Sequence, residues 1–98
     1  MTELRVVLIS GGAGGIGRRT AKRFLAKGDL VVLADVSRDG LAETSRDLGG
    51  THSVVADVTL VADCERMIEE TVEAHGRLDV LVNCAGVWVE GPTAESRM

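Results

Sequence analysis

Ser10-Gly11-Gly12-Ala13-Gly14-Gly15-Ile16-Gly17 is a loop with five glycines in eight residues. Glycine loses more conformational freedom on folding than any other residue. A folded protein therefore keeps such a loop where the chain turns tightly or where a ligand approaches the backbone. The spacing fits two patterns: glycines 12, 14 and 17 form G-x-G-x-x-G, and glycines 11, 15 and 17 form G-x-x-x-G-x-G. The loop predicts a cradle for the phosphate groups of a ligand.

The sequence around this loop predicts strands that alternate with helices. Residues 4–10 contain the continuous apolar run Val6-Val7-Leu8-Ile9, which is typical of a strand buried on both faces. Residues 16–27 place apolar side chains on one helical face, and Gly28 can end that helix in the left-handed region. Further strands are predicted at 30–35, 53–58 and 79–83. Further helices are predicted at 38–48, with Ser37 as N-cap, and from Thr59, as N-cap, to Gly76.

This alternation predicts a fold of the α/β class, because βαβ units produce a parallel sheet with right-handed crossovers. We expect a Rossmann-type, three-layer α/β/α arrangement with strand order 3-2-1-4, in one domain over residues 1–98 that is truncated after about four strands. A ligand crevice is expected at the carboxyl ends of the strands, where the order reverses. No element is predicted in Val87–Met98. Gly40 interrupts the second helix at a cost of about 1 kcal/mol relative to Ala, so that helix is expected to be weak.

Composition and charge exclude several classes of protein. The 98 residues are 45% hydrophobic and 27% charged with a net charge of −4, which is typical of a soluble globular domain without a basic face for nucleic acid. No apolar run approaches the ~18 residues of a membrane span, and no signal peptide precedes the first strand, so a cytoplasmic location is expected. Cys64 and Cys84 are expected to be reduced, buried thiols. His52 and His75 have no partner at metal-ligand spacing and are predicted to be ordinary structural or surface residues.

Asp35 ends the second predicted strand, eighteen residues after Gly17. An acid at this distance accepts hydrogen bonds from the ribose hydroxyls of a bound adenosine, which predicts NAD and makes NADP less favoured. A 2′-phosphate beside the carboxylate would be unfavourable by about 4 kcal/mol per charge pair at ~4 Å and a dielectric constant of ~20. Arg38 could offset that repulsion. The alternative is that Asp35 is a solvated acid at a strand end.

Asp57 and Val58 follow the third predicted strand. The carboxylate of Asp57 could accept the amino group of adenine while the next backbone N–H donates to the ring. A turn acid before a helix is an equally good interpretation of the spacing alone. Trp88, beyond the fourth strand, could line a substrate pocket or cover the end of the sheet, and the sequence does not distinguish these.

Four landmarks together resemble the short-chain dehydrogenase/reductase family. They are the glycine loop, Asp35, Asp57-Val58 and Asn83-Cys84-Ala85-Gly86, which are similar to the family's T-G-x-x-x-G-I-G, strand-end acid, D-V and N-N-A-G. The resemblance favours the wider glycine pattern. It implies that Ile16 contributes a backbone contact near the phosphates and that Asn83, Ala85 and Gly86 support the sheet and the ribose side. The predicted cofactor-binding residues are Ser10, Gly11, Gly14, Gly15, Ile16, Gly17, Asp35, Val36, Asp57, Val58, Asn83, Ala85 and Gly86.

The resemblance also implies that the catalytic groups lie outside this sequence. The family places a Ser, a Tyr and a Lys of a Y-x-x-x-K motif in its second half, whereas this chain has no tyrosine and only Lys22 and Lys27. We therefore expect no catalytic residue and no metal ligand here, and a small-molecule substrate only in a complete protein. Two other functions are compatible with the sequence. One is a non-catalytic module that pairs with another chain, including a second copy of itself, through an exposed fourth strand, and the other is binding of another adenosine ligand such as a methyl donor.

Overall fold

The computed structural model describes residues 4–84, in which four strands alternate with three helices as predicted. The strands are β1 (Val6–Ser10), β2 (Leu30–Asp35), β3 (His52–Val55) and β4 (Val80–Asn83). The helices are α1 (Gly15–Ala26), α2 (Arg38–Asp47) and α3 (Val61–His75). The predicted sites Ala85 and Gly86, and Trp88, lie outside the described residues.

The strands form one parallel sheet in the order β3-β2-β1-β4. In β1, residues 6–10 pair with residues 30–34 of β2, and residues 7–10 pair with residues 80–83 of β4. β2 and β3 therefore lie on one side of β1 and β4 lies on the other, so the strand order reverses at β1. Both the α/β class and the predicted strand order are confirmed.

Helices cover both faces of this sheet. Successive side chains of a strand point to opposite faces. In β1, Leu8 packs in a buried cluster with Met67 of α3. Its neighbour Ile9 packs in a second cluster with Ala21 of α1 and Leu41 of α2. Burial on both faces explains why β1 and β2 are continuous apolar runs rather than alternating ones.

The third strand is shorter than predicted, because it ends at Val55 and not at Val58. The N–H of Ala56 still donates to the carbonyl of Asp35 at 2.9 Å. One residue later, the N–H of Asp57 donates to the carboxylate of Asp63 at 2.8 Å. This polar turn takes the backbone away from the sheet, so the prediction of a strand up to Val58 is wrong at its carboxyl end.

The start and burial of α3 also differ from the prediction. Its N-cap is Leu60, and the predicted cap, Thr59, uses its hydroxyl to donate to Asp57 Oδ1 in the preceding turn. The middle of the predicted apolar stripe is buried, as at Met67, but Val61 at its start is 74% exposed. The helix ends where predicted, at a left-handed glycine, Gly76, with φ of 82°.

The predicted cap of α2 is confirmed, since the Ser37 hydroxyl accepts a hydrogen bond from the N–H of Gly40 at 3.0 Å. Gly40 has a further role that the sequence did not indicate. A Cβ at this position would lie 2.9 Å from both the Cβ of Ala13 and the Oγ of Ser37. The glycine therefore lets the first turn of α2 pack directly against the glycine loop.

Cys64 and Cys84 are half-buried rather than fully buried as predicted. Among residues 4–84, no helix is both long enough and apolar enough to cross a bilayer.

Candidate functional site

The buried glycines of the loop are required by the protein's own geometry. Gly11 has a positive φ of 76°, a conformation that favours glycine. A Cβ on Gly12 would lie 2.8 Å from the side chain of Leu33. A Cβ on Gly17 would overlap the carbonyl oxygen of Gly11 and lie 2.8 Å from the Cα of Gly12. These three positions make the turn from β1 into α1 tight, and Gly12 was not among the predicted site residues.

The exposed glycines have no such explanation. Gly14 and Gly15 lie on the surface, and neither has a positive φ. A Cβ on Gly15 would have no described atom within 4 Å, and one on Gly14 would meet only the carbonyl oxygen of Gly11, at 3.6 Å. Packing within the described residues therefore leaves this rim of the loop open, as a backbone-approaching ligand would require.

The same rim presents unpaired backbone donors. Gly14 is the N-cap of α1, no side chain caps the helix, and its first turn holds no acid. The first helical bond runs from the N–H of Arg18 to the carbonyl of Gly14, at 2.9 Å. The N–H groups of residues 15, 16 and 17 have no acceptor among residues 4–84. They lie at the positive end of the helix dipole, which is a ready site for an anion such as a pyrophosphate.

Asp35 connects this loop to the end of β2. Its Oδ2 accepts a hydrogen bond from the N–H of Ala13 at 3.1 Å, and its Oδ1 accepts one from the N–H of Ser37 at 3.1 Å. A carboxylate oxygen has two lone pairs, so each oxygen can still accept a further donor. The half-buried side chain thus holds the loop in place and keeps acceptor capacity beside it.

Ser10 and Asn83 meet across the point where the strand order reverses. The buried hydroxyl of Ser10 donates to Asn83 Oδ1 at 2.9 Å. The carbonyl of Ser10 accepts a hydrogen bond from the N–H of Cys84 at 2.8 Å. These contacts fix the carboxyl ends of β1 and β4 against each other at the start of the glycine loop.

Asp57 and Val58 lie in the turn after β3. Asp57 Oδ1 accepts hydrogen bonds from the hydroxyl of Thr59, at 2.6 Å, and from its N–H, at 2.9 Å. These two bonds, the hydroxyl's first, hold the pKa of Asp57 below its ordinary value. Val58 is half-buried against the cluster on the α3 face. Oδ2 of Asp57 has no acceptor role toward any residue of the described part of the chain.

Two apolar side chains on this edge are exposed, which is unusual beside so many polar groups. Ile16 is 69% exposed and Val36 is 62% exposed. Each follows a strand end: Ile16 is on the loop after β1, and Val36 directly follows β2. All predicted residues within 4–84 therefore lie at the carboxyl edge of the sheet, on one side of the molecule.

Sequence reasoning missed one pairing at the opposite edge. Nδ1 of His52 and Nε2 of His75 are 3.0 Å apart, although both residues were predicted to be ordinary. Burial, and then the neighbouring His52, lower the pKa of His75. The residues are 23 positions apart, and no local pattern signals such a contact. Within residues 4–84, no group of three or more His, Cys, Asp or Glu side chains converges on a metal site.

Comparison with known proteins identifies a family. The model described as "short chain dehydrogenase" matches residues 5–98. A (5R,7aS)-5-hydroxy-7a-methyl-1-oxo-2,3,5,6,7,7a-hexahydro-1H-indene-carboxyl-CoA reductase of Mycobacterium tuberculosis is 42% identical over 97 residues, covering 93% of this chain and 37% of that protein. The meso-2,3-butanediol dehydrogenase of Serratia marcescens is 39% identical over 94 residues, covering 94% of this chain and 38% of that protein. The chain thus spans well under half the length of these curated relatives.

Solved structures agree. A short chain dehydrogenase from Mycobacterium smegmatis is 41% identical with a TM-score of 0.80, over 95% of this chain and 41% of that one. A 3-ketoacyl-(acyl-carrier-protein) reductase from Brucella melitensis, complexed with NADH, is 32% identical with a TM-score of 0.74, over 79% of this chain and 32% of that one. The chain belongs to the short-chain dehydrogenase family, a family of oxidoreductases that bind nicotinamide dinucleotide cofactors.

Proposed function

We propose that residues 1–98 form the NAD-binding unit of a short-chain oxidoreductase. The observation that carries the proposal is the open rim of the loop. There a Cβ on Gly15 would meet no described atom and one on Gly14 only the carbonyl oxygen of Gly11, beside three N–H groups of α1 that have no acceptor among residues 4–84. At Gly15, the first residue of α1, neither a positive φ nor a close contact with a described atom requires a glycine. A pyrophosphate on these N–H groups accounts for both features.

The remaining predicted residues take roles around that anion. The backbone of Ile16 lies beside the phosphate position, and Val36 offers an exposed apolar surface next to the ribose. Asp57 and Val58 would hold the adenine, with Oδ2 of Asp57 accepting its amino group. Ser10 and Asn83 keep the carboxyl ends of β1 and β4 together. Ala85 and Gly86 are proposed to continue this wall on the resemblance alone.

NAD, rather than NADP, is proposed because of how Asp35 is held. Two backbone N–H groups fix its carboxylate beside the loop, so the side chain cannot easily turn away from a ribose. Its free lone pairs suit the two ribose hydroxyls, whereas a 2′-phosphate would meet a fixed like charge. Arg38, the first residue of α2, is the nearby cation that could offset this, so the preference needs a direct test.

When bound, the nicotinamide supplies or accepts a hydride. The relatives named above include a butanediol dehydrogenase and an indene-carboxyl-CoA reductase by name, which supports transfer between an alcohol and a carbonyl as the reaction of the whole protein. Residues of this chain bind and orient the cofactor in that scheme. None of its described side chains is proposed as the proton donor.

Titration calorimetry with NAD, NADP and S-adenosylmethionine tests the proposal on the 98-residue chain. NAD should bind more tightly than NADP, and the methyl donor should not compete. The variant Asp35→Arg should narrow or reverse the order of the two dinucleotides, because it replaces a fixed negative charge with a positive one. Tighter binding of NADP by the unmodified chain would contradict the assignment of Asp35, and preferential binding of the methyl donor would contradict the whole function.

A second candidate function rests on β4. Within residues 4–84 this strand pairs only with β1, and Leu81, on the α3 face, is 47% exposed. An unpaired strand edge is a template for another chain. We propose a second copy of this chain as its partner if the protein acts as a binding module. Sedimentation velocity over a concentration series should show a dimer that Leu81→Lys weakens, and a monomer at every concentration would contradict this candidate.

A further inference from the structure

The two histidines of the chain meet at the amino edge of the sheet, opposite the proposed cofactor site. His52 is the first residue of β3, and His75 is the last residue of α3. Their rings are 5.2 Å apart between centroids, at 60°, and both residues are half-buried. The packing of α3 beside β3 thus brings together two imidazoles that are 23 positions apart in the sequence.

The separation of the two facing nitrogens suits a metal ion. Nδ1 of His52 and Nε2 of His75 are 3.0 Å apart. Two imidazole nitrogens on neighbouring positions of an octahedral ion, each at ~2.1 Å, are about 3.0 Å apart, and on a tetrahedral ion about 3.4 Å. The observed distance needs no change for the first geometry and a small opening for the second. A rotation of the rings then directs both lone pairs to one point.

The end of α3 favours a positively charged ligand beside this pair. His75 ends α3, so the negative end of that helix dipole lies beside the pair. Since the described residues bring no third His, Cys, Asp or Glu to this point, water would fill the other coordination positions.

We propose that His52 and His75 form a two-histidine site for a divalent transition-metal ion that prefers imidazole, such as Ni²⁺, Cu²⁺ or Zn²⁺. Binding breaks two metal–water bonds and forms two metal–nitrogen bonds. The ring that now donates in the shared hydrogen bond moves its proton to its other nitrogen, so the neutral pair loses no proton. The ion would join β3 to the end of α3.

Calorimetric titration of the 98-residue chain with NiCl2 tests this site. The variants His52→Asn and His75→Gln place amide groups near the lost Nδ1 and Nε2, so each can keep a hydrogen bond while removing a ligand. Each should weaken Ni²⁺ binding by about tenfold or more. The control is Cys64→Ser, which removes a half-buried thiol from α3 but leaves both histidines in place, and it should leave the affinity for Ni²⁺ unchanged.

Three results would overturn the proposal. They are no saturable binding at millimolar Ni²⁺, equal affinity in the two histidine variants and the unmodified chain, and equal affinity in denaturing urea, where the two rings are no longer adjacent. X-ray absorption of the Ni²⁺ complex gives an independent readout, with two imidazoles expected in the first shell and one or none contradicting the pair. None of these outcomes depends on the cofactor site.

Discussion

The two edges of the sheet differ in how their polar groups are used. At the amino edge several charged side chains are paired with one another. The guanidinium of Arg5 forms a bidentate pair with Asp29, with Nη2 and Oδ2 2.8 Å apart. Asp79 binds Arg77 at 2.8 Å and accepts the N–H of Val6 at 2.8 Å. Asp79 and Asp29 accordingly have pKa values below their ordinary range, caused first by hydrogen bonds from these arginines.

At the carboxyl edge, in contrast, groups are left open. The N–H groups at the start of α1 have no described acceptor, and a Cβ placed on Gly15 would have no described atom within 4 Å. Ile16 and Val36 expose apolar surface on the same edge. These open groups are the ones at which we propose that the cofactor binds. The difference therefore separates residues that stabilise the fold from residues that are available for a ligand.

The largest effect on stability is expected for Gly17→Ala, which would distort the glycine loop at the open edge. The new Cβ would overlap the carbonyl of Gly11, which is backbone and cannot rotate away. We expect the free energy of unfolding to fall by about 3 kcal/mol, in spite of the gain in helix propensity. Urea denaturation followed by circular dichroism measures this change.

Gly15→Ala is the matched control, because it is the same chemical change two residues earlier. No described atom lies within 4 Å of the added Cβ, so stability should stay within about 0.5 kcal/mol or rise slightly. Affinity for NAD should nevertheless fall, since the methyl group occupies the rim. Equal unfolding free energies for the two variants would contradict the division of the loop into packed and open glycines.

A smaller effect is expected for Gly40→Ala, which tests whether α2 supports the open edge. The added Cβ would press on Ala13 and on the Oγ of Ser37. The cost of overpacking exceeds the gain in helix propensity of about 1 kcal/mol, so the net loss of stability should be about 1 kcal/mol. The free energy of unfolding, measured by urea denaturation, and the affinity for NAD, measured by titration, should both fall. A gain in stability would show that α2 does not pack on the loop.

The smallest effect concerns pH at the amino edge. The folded chain lowers the pKa of His75 from the ordinary value of 6.5, so between the folded pKa and 6.5 the unfolded chain binds more protons. The free energy of unfolding should therefore fall as the pH is lowered from about 6.5. Thermal denaturation from pH 7 to pH 5 measures the slope, and His75→Gln should reduce it. An unchanged slope in that variant would assign the effect to another group.

Much of the fold could be predicted because its signals are local. The apolar runs of β1 and β2 reflect burial on both faces, and Ser37 caps α2 because a hydroxyl at that position reaches the N–H of Gly40. The carboxyl end of β3 was predicted wrongly because a turn, in which the N–H of Asp57 bonds to Asp63, replaces pairing in the sheet. The β-branched run before this turn carries no signal for it.

The site divides in the same way. Its glycines and Asp35 follow from spacing, since a strand, a loop and a helix fix their positions. The reasons for individual glycines did not follow, because Gly12 depends on Leu33 and Gly40 on Ala13, both contacts between distant segments. The contact of His52 with His75 was missed for the same reason. Long-range packing has no short sequence signature.

The central claim, that the open carboxyl edge binds NAD, is tested most directly by titrating NAD into the ¹⁵N-labelled 98-residue chain and following the backbone amide signals. The account predicts saturable shifts that are largest at Gly15, Ile16 and Gly17, with signals at His52 and Asp79 on the amino edge unchanged. Shifts centred on the amino edge, or no saturable shifts at all, would contradict it.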